Sequence, residues 1–287
     1  MLAGWSVCET LWVRCPCCGG TRFSLHEIIW DELAADWELS ADEREEVNRE
    51  QGLICTRCNS KLRSMALASA VLRVTGYAGL FNDFVTSHVA SRLRVLEINE
   101  AGDLTKYLQR MRHWTQVTYP QVDMRALPFD DHAFDLVLHS DTLEHVPDPL
   151  AGLAECARVL TPGGVCCFTV PVVAGRITRS RAGLPRSYHG SDAGREYLVH
   201  TEFGADVWRY VLAAGFASCT LEGAEGASGL AVIARSRDPA ENRVSAWRSL
   251  GPAIRRRLST LRRRFVPGPN RIGATDRPPD ATFEARP

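Results

Sequence analysis

Two pairs of cysteines carry the first recognisable chemistry in this chain. Cys15-Pro16-Cys17-Cys18 and Cys55-Thr56-Arg57-Cys58 each set two thiols on a tight turn, the spacing at which both sulfurs of a turn reach one ion. Two such turns make a four-thiolate zinc pattern with Cys15, Cys18, Cys55 and Cys58 as expected ligands; Cys17 either replaces Cys15 or stands by. Four thiolates leave no open coordination position, so the expected role is structural. The competing reading is a redox pair or buried free thiols. A second group lies in Ser140-Asp141-Thr142-Leu143-Glu144-His145. If the chain is helical from Thr142, Asp141, Glu144 and His145 share one face, offering a general base or an oxygen and nitrogen ligand set for a divalent cation. A helix-capping Asp beside a solvated Glu and His is the plainer alternative. Arg176, Arg179, Arg181 and Arg186 form a third group, suited to phosphate or another anion, with an ordinary solvated loop as the alternative.

The elements that must position these groups read as an α/β domain. Phe134–Leu138 is a short apolar run of the kind buried in parallel sheets. Pro147-Asp148-Pro149 starts a helix marked by Leu150, Leu153, Ala154, Ala157 and Leu160, Pro162-Gly163-Gly164 ends it, and Val165–Val170 is the next strand. A right-handed crossover of this kind puts Ser140 to His145 at the carboxyl end of a central strand, where open α/β sheets hold ligands. Leu93–Ile98 is expected as the first strand, a helix around Leu104–Met111 follows, and Gln116–Tyr119 is the second strand; Ser218–Leu221 and Leu230–Ala234 close the sheet as an antiparallel pair. Between the cysteine pairs, Leu25, Ile28, Ile29, Leu33 and Trp37 mark one helix, and Ser40-Ala41-Asp42-Glu43 opens another with a capping box.

Asp123, Leu127-Pro128-Phe129, Phe134-Asp135-Val137, Leu143-Glu144-His145, Asp148-Pro149 and Leu160-Pro162-Gly163-Gly164 resemble, in order and spacing, the class I S-adenosylmethionine-dependent methyltransferases, in particular the type 11 methyltransferase domain. The resemblance implies a Rossmann-like methyltransferase sheet. It implies cofactor contacts from the loop after the first strand, here Glu97-Ile98-Asn99-Glu100-Ala101-Gly102-Asp103. Glu97 matches the pattern, Asn99, Ala101 and Asp103 stand where the family has glycines, and Gly102 is out of step; Asn tolerates the left-handed conformation and Ala is small. Asp123 matches the carboxylate that accepts the adenine amino group, with the Met124 N–H toward the ring, and Ser140 borders the same site. Tyr119-Pro120 replaces the acid that usually holds the ribose, and Asp123 follows too soon for a further helix and strand, so one edge strand is expected to be missing. Asp141, Glu144 and His145 are similar to the E-x-x-E-H of quinone-biosynthesis O-methyltransferases, which implies a possible divalent cation there. The family keeps a His near His200, so His189 and His200 rival His145 as proton acceptor. The C-P-x-C and C-x-x-C-x-S-x-x-R elements, ending at Arg63, resemble members acting on saccharides or lipid-linked saccharides.

The expected organisation is a zinc-ribbon-like module with a helical insert over 1–64, a connecting helix over 65–90, the methyltransferase domain over 91–236 and a basic tail over 237–287. With 34 basic and 34 acidic residues in 287, net charge gives no nucleic-acid signature, and no apolar run approaches the ~20 residues of a membrane span. The first residues lack a secretory pattern, so the expected location is cytoplasmic, and the ten cysteines need a role other than disulfides. Val244, Trp247, Leu250, Ile254, Leu258, Leu261 and Phe265, with Arg255–Arg257 and Arg262–Arg264 opposite, suggest a basic amphipathic helix, firm over 252–265, for contact with the inner face of the membrane; a helix docked on its own domain or on a partner is the plainer alternative. Nucleic acid is not expected, because no aromatic platform accompanies the arginines. The functional expectation is methyl transfer from S-adenosylmethionine to an oxygen of a small or lipid-linked, saccharide-like acceptor. The alternative is a non-catalytic zinc-ribbon and methyltransferase-like binding protein. Oligomeric state is not legible.

Overall fold

The structure, a computed structural model, describes residues 14–189, 197–225 and 228–238, and these described residues belong to one compact unit. The amphipathic segment expected over 252–265 lies outside the described residues. Between the cysteine turns the chain forms strand β1 (Phe23–Leu25), helix α1 (Asp31–Asp36), helix α2 (Ala41–Gly52) and strand β2 (Leu53–Cys55), which pairs antiparallel with β1. The capping box is present: Glu43 N donates to Ser40 Oγ at 3.3 Å and Ser40 N to Glu43 Oε2 at 2.8 Å. The helix expected from Leu25 to Trp37 is instead a strand and a short helix, because the backbone of Leu25 is taken into the ladder opposite Leu53. Ile29, Leu33 and Trp37 still share one cluster, with Val47 and Val199.

Helix α3 (Leu62–Thr75) follows the second cysteine turn and stops at Gly76, whose φ of 67° needs a residue free of Cβ strain. Helix α4 (Phe81–Phe84), strand β3 (Val95–Ile98), helix α5 (Thr105–Leu108), strand β4 (Trp114–Val117), strand β5 (Phe134–Ser140), helix α6 (Pro149–Val159) and strand β6 (Leu160–Thr169) come next. Short strands β7 (Val172–Val173), β8 (Arg179–Ser180), β9 (Tyr188–His189), β10 (Tyr197–Leu198) and β11 (Thr201–Gly204) precede helix α7 (Trp208–Ala213) and the hairpin β12 (Ser218–Glu225) and β13 (Ser228–Arg235). The helix expected around Leu104–Met111 is a 3-10 turn followed by one turn of α5. Asp148 caps α6 by accepting from Ala151 N at 3.0 Å, and Pro149 sits in its first turn as expected. Pro162-Gly163-Gly164 lies within β6, where it bulges the pairing with β5.

Six strands form the central sheet in the order β12-β13-β6-β5-β3-β4. β4, β3, β5 and β6 run parallel, and β13 joins β6 antiparallel. This is the Rossmann-like methyltransferase sheet with a mixed order, ending at β4 without a further edge strand among the described residues. Strand order reverses at β3, whose neighbours are β4 and β5, so the carboxyl ends of β3 and β5 border the crevice where such sheets place ligands. Alternate residues of the central strands face two cores: Leu136 and Leu138 pack with α3, and Val137 packs with α6. Cys15, Cys17, Leu53 and Cys55 belong to the same core as α3, so the cysteine turns and the sheet share one apolar interior.

Candidate active site and cysteine centre

The four thiols expected as ligands gather at one point. Cys15 Sγ lies 3.8 Å from Cys58 Sγ and Cys18 Sγ lies 3.7 Å from Cys55 Sγ, and all four are mutually within 4.8 Å. A tetrahedral ion with Zn–S bonds of ~2.3 Å separates its sulfurs by about 3.8 Å, so the donor set fits zinc in type and spacing. Gly20 N donates to Cys18 Sγ at 3.4 Å, and Asn59, at φ 59°, returns its N–H to the Cys55 carbonyl at 2.8 Å, which closes each turn around its thiols. The centre is sewn into the domain: Phe81 N and Asn82 N donate to the carbonyls of Pro16 and Cys17, and Lys106 Nζ donates to the Cys58 carbonyl at 2.6 Å.

The loop after β3 is built around Glu97. Its carboxylate is fully buried and accepts from Ala101 N at 2.7 Å, Thr105 Oγ1 and Trp114 Nε1 at 2.7 Å, so it anchors the loop from within and does not face the crevice. Asn99 and Gly102 both take φ of 57°, as the turn demands. The Asn99 side chain reaches in two directions: Oδ1 accepts from Tyr119 N at 2.9 Å, and Nδ2 donates to Thr142 Oγ1 at 3.4 Å. Ser140 N donates to the Glu100 carbonyl at 3.2 Å, a second link between the ends of β3 and β5. Gly102 packs so tightly that an added Cβ would lie 2.6 Å from Ser64 Oγ and 3.3 Å from Ser140 Oγ. Ala101 is fully buried. Ala101, Gly102 and Ser140 are thus brought together, and the Asn99 side chain bridges the chain after β4 to the chain after β5. Asp123 lies at the outer edge, its carboxylate engaged by Arg125 through N, Nε and Nη2, which holds it below the usual carboxylate range. Met124 is buried, its side chain against Gly152.

The expected cation site at Asp141, Glu144 and His145 does not form. Asp141 has a φ of 45°, and its carboxylate meets Arg63, Gln51 Nε2 at 3.1 Å and Thr169 Oγ1 at 3.2 Å; Leu143–His145 is a single 3-10 turn, so the shared helical face is absent. His145 Nδ1 donates to the Leu198 carbonyl at 3.0 Å, its ring lies 5.3 Å from that of Tyr197, and its Nε2 is 3.7 Å from Glu144 Oε1. Burial lowers the His145 pKa against the opposing Leu198 carbonyl and Asp141 carboxylate. His200 N donates to the Glu144 carbonyl at 2.8 Å, and burial, then Arg125, lower its pKa as well. The backbone of His189 pairs with Tyr197, so the three histidines stand on neighbouring chain segments.

Four ionisable groups from different elements meet beside His145: Glu50 of α2, Arg63 of α3, Asp141 and Glu144. Arg63 pairs with Asp141, while Glu50 Oε1, both Glu144 oxygens and Arg63 Nε are buried without a hydrogen-bond partner. Burial, reinforced by the Asp141 carboxylate, raises the pKa of Glu50 and Glu144 well above the ordinary carboxylate range. A cavity lined by Trp37, Val173, Arg176, Val199 and Phe203 opens onto Glu144. Three of the four arginines expected to bind an anion staple this region instead: Arg176 pairs with Glu43, and Arg179 and Arg181 both pair with Glu202, while Arg186 is exposed. Glu50, Gln51 and Ser64 escaped sequence reading because nothing in their spacing marks them. Arg63 had a signal, as the last position of the C-x-x-C-x-S-x-x-R element.

Residues 76–168 match the family described as "Methyltransferase domain". An "Uncharacterized methyltransferase" of Mycobacterium avium is 32% identical over 114 residues, which cover 38% of this chain and 45% of that protein. A "Ubiquinone biosynthesis O-methyltransferase" of Alkalilimnicola ehrlichii is 30% identical over 105 residues, covering 36% of this chain and 38% of that protein. The chain therefore spans less than half the length of these curated relatives. A solved SAM-dependent methyltransferase from Methanosarcina mazei aligns at 13% identity and a TM-score of 0.34, covering 52% of this chain and 94% of that one. The match over residues 76–168 is to a methyltransferase domain, and it takes in the parallel strands β3, β4 and β5 and most of β6 of the Rossmann-like sheet.

Proposed function

We propose that this chain transfers a methyl group from S-adenosylmethionine to an oxygen, or with lower preference a nitrogen, of a small or lipid-linked, saccharide-like acceptor. The observation that carries this reading is a pair of imidazoles, His145 and His200, whose pKa values burial lowers, beside the buried carboxyl of Glu144 at the carboxyl end of β5.

The residues present fit the cofactor. The left-handed turn at Asn99 and Gly102, Ala101 and Ser140 would line it, and Asp123 with Met124 would meet the adenine end once Arg125 yields its contact. The unpartnered atoms of Glu50, Arg63 and Glu144 offer carboxyl oxygens and a guanidinium N–H to an amino-acid end. When bound, S-adenosylmethionine supplies an electrophilic methyl group. The chain's own tasks are alignment, exclusion of water and removal of one proton. His145 suits the last: Leu198 fixes the proton on Nδ1 and leaves Nε2 as the acceptor, with Glu144 beside it. His200 and His189 stand as alternative acceptors on the neighbouring segments. Zinc on Cys15, Cys18, Cys55 and Cys58 has a structural role. Calorimetry of the full chain with S-adenosylmethionine and with its demethylated product, followed by transfer of labelled methyl to lipid-linked sugars, tests the reading; binding of neither ligand would overturn it.

One observation favours a non-catalytic binding protein: the Asn99 side chain spans from Tyr119 to Thr142 across the crevice. The same calorimetry separates the two. The expected location is the cytoplasm, with peripheral contact at the inner membrane face through the basic segment 252–265, since arginines opposite an apolar stripe suit an anionic surface. Among the described residues no helix is long and apolar enough to cross a membrane.

A further inference from the structure

Three carboxyls and one guanidinium are buried together at the carboxyl end of β5, and this is a composition that folding alone does not explain. Arg63 answers Asp141, but Glu50 and Glu144 are 3% and 2% exposed and keep three oxygens without a partner, while Arg63 Nε is likewise orphaned. An unpartnered buried polar atom is costly to keep, and a ligand that completes it removes that cost. The location is specific. Ser64, next to Arg63, and Ser140 lie against the same side of Gly102 of the loop after β3, and Asp141 follows Ser140. The group thus borders the inner end of the crevice, and Glu144 carries it to the cavity lined by Trp37 and Phe203.

We propose that Glu50 and Arg63, contributed by the cysteine-bearing N-terminal region, hold the amino-acid end of S-adenosylmethionine: Glu50 faces its ammonium and Arg63 Nε its carboxylate. This rests on the methyltransferase reading and extends it to residues outside the matched segment 76–168. The donor types agree, since the amino-acid end presents one cation and one anion, and the orphaned atoms are carboxyl oxygens and a guanidinium N–H. It also accounts for the loop after β3. Asp103, which stands at a glycine position, spends its carboxylate on Lys61 N and Ser64 Oγ, so the loop holds α3 in place and α3 brings the charges.

The test compares two ligands on the full chain by calorimetry: S-adenosylmethionine, and 5′-methylthioadenosine, which has the nucleoside without the amino-acid end. Glu50→Gln keeps shape and removes the ionisable carboxyl, and Arg63→Lys keeps charge and removes Nε. Each should weaken S-adenosylmethionine by about tenfold or more while 5′-methylthioadenosine changes by less than about twofold, as expected for loss of one charged hydrogen bond. Equal losses for both ligands, or unchanged binding of S-adenosylmethionine, would overturn the inference and leave the methyltransferase reading standing. If the wild-type chain binds neither ligand, both fall. Should Arg63→Lys fail to fold, the isosteric Glu50→Gln decides alone.

Discussion

Ser64 and Asp103 hold each other twice: Ser64 Oγ donates to Asp103 Oδ2 at 3.0 Å, and Asp103 N donates back to Ser64 Oγ at 3.1 Å. The first residue sits in the opening turn of α3, just past the second cysteine turn, and the second closes the loop after β3. The cysteine centre and the crevice are therefore two ends of one short mechanical path.

Ser64→Ala breaks both bonds of that pair and leaves Asp103 with Lys61 N alone. Urea unfolding should register a loss of about 1–3 kcal/mol, since a fully buried hydroxyl is removed from a charged acceptor. A change within ±0.3 kcal/mol, on the order of measurement error for a neutral surface site, would show that the pair is not a support.

Replacing Cys55 and Cys58 together by Ser should release about one zinc per chain and lower the melting temperature, because thiolate ligation contributes folding energy directly. Metal analysis by mass spectrometry checks the first and calorimetric melting the second. Unchanged metal content would refute the site.

His139 on β5 is fully buried, stacks on Phe168 with ring centroids 4.7 Å apart, and has its pKa pushed down to about 3 by burial. In the unfolded chain the imidazole takes a proton near pH 6.5, so the unfolded state binds more protons between about pH 6.5 and about 3. Stability is therefore lost as pH falls through that window. His139→Phe should flatten the acid limb of a stability profile measured by urea unfolding from pH 7 to pH 4; an acid limb of unchanged slope would argue that other groups carry it.

Asn99→Gly costs the backbone nothing at φ 57° and removes the side chain that spans the crevice. If that side chain competes with the cofactor, affinity for S-adenosylmethionine should rise, by roughly threefold to tenfold for one or two lost competing hydrogen bonds. Weaker binding in the variant would mean that Asn99 contacts the ligand.

Removing residues 238–287 should abolish association with anionic liposomes in a flotation assay while leaving cofactor affinity unchanged. Equal flotation of the truncated chain would remove the membrane proposal.

What the sequence by itself determined was carried by local pattern wherever no distant segment claimed the backbone, as β2 claimed Leu25. The apolar runs at β3, β5 and β6, the proline start of α6, the capping box at Ser40 and the antiparallel closing pair are consequences of periodicity and turn chemistry within a few residues. The gathering of four thiols was legible for the same reason, since two C-x-x-C turns need only be brought face to face. The tertiary structure alone decided the side-chain partnerships. That Glu97 turns inward to Trp114, that Arg176 goes to Glu43, and that Asp141 is claimed by Arg63 all depend on segments from 17 to 133 residues apart in the chain. A carboxylate or guanidinium has many acceptable partners of opposite sign, and only the folded arrangement of buried surfaces selects which of them desolvation makes unavoidable.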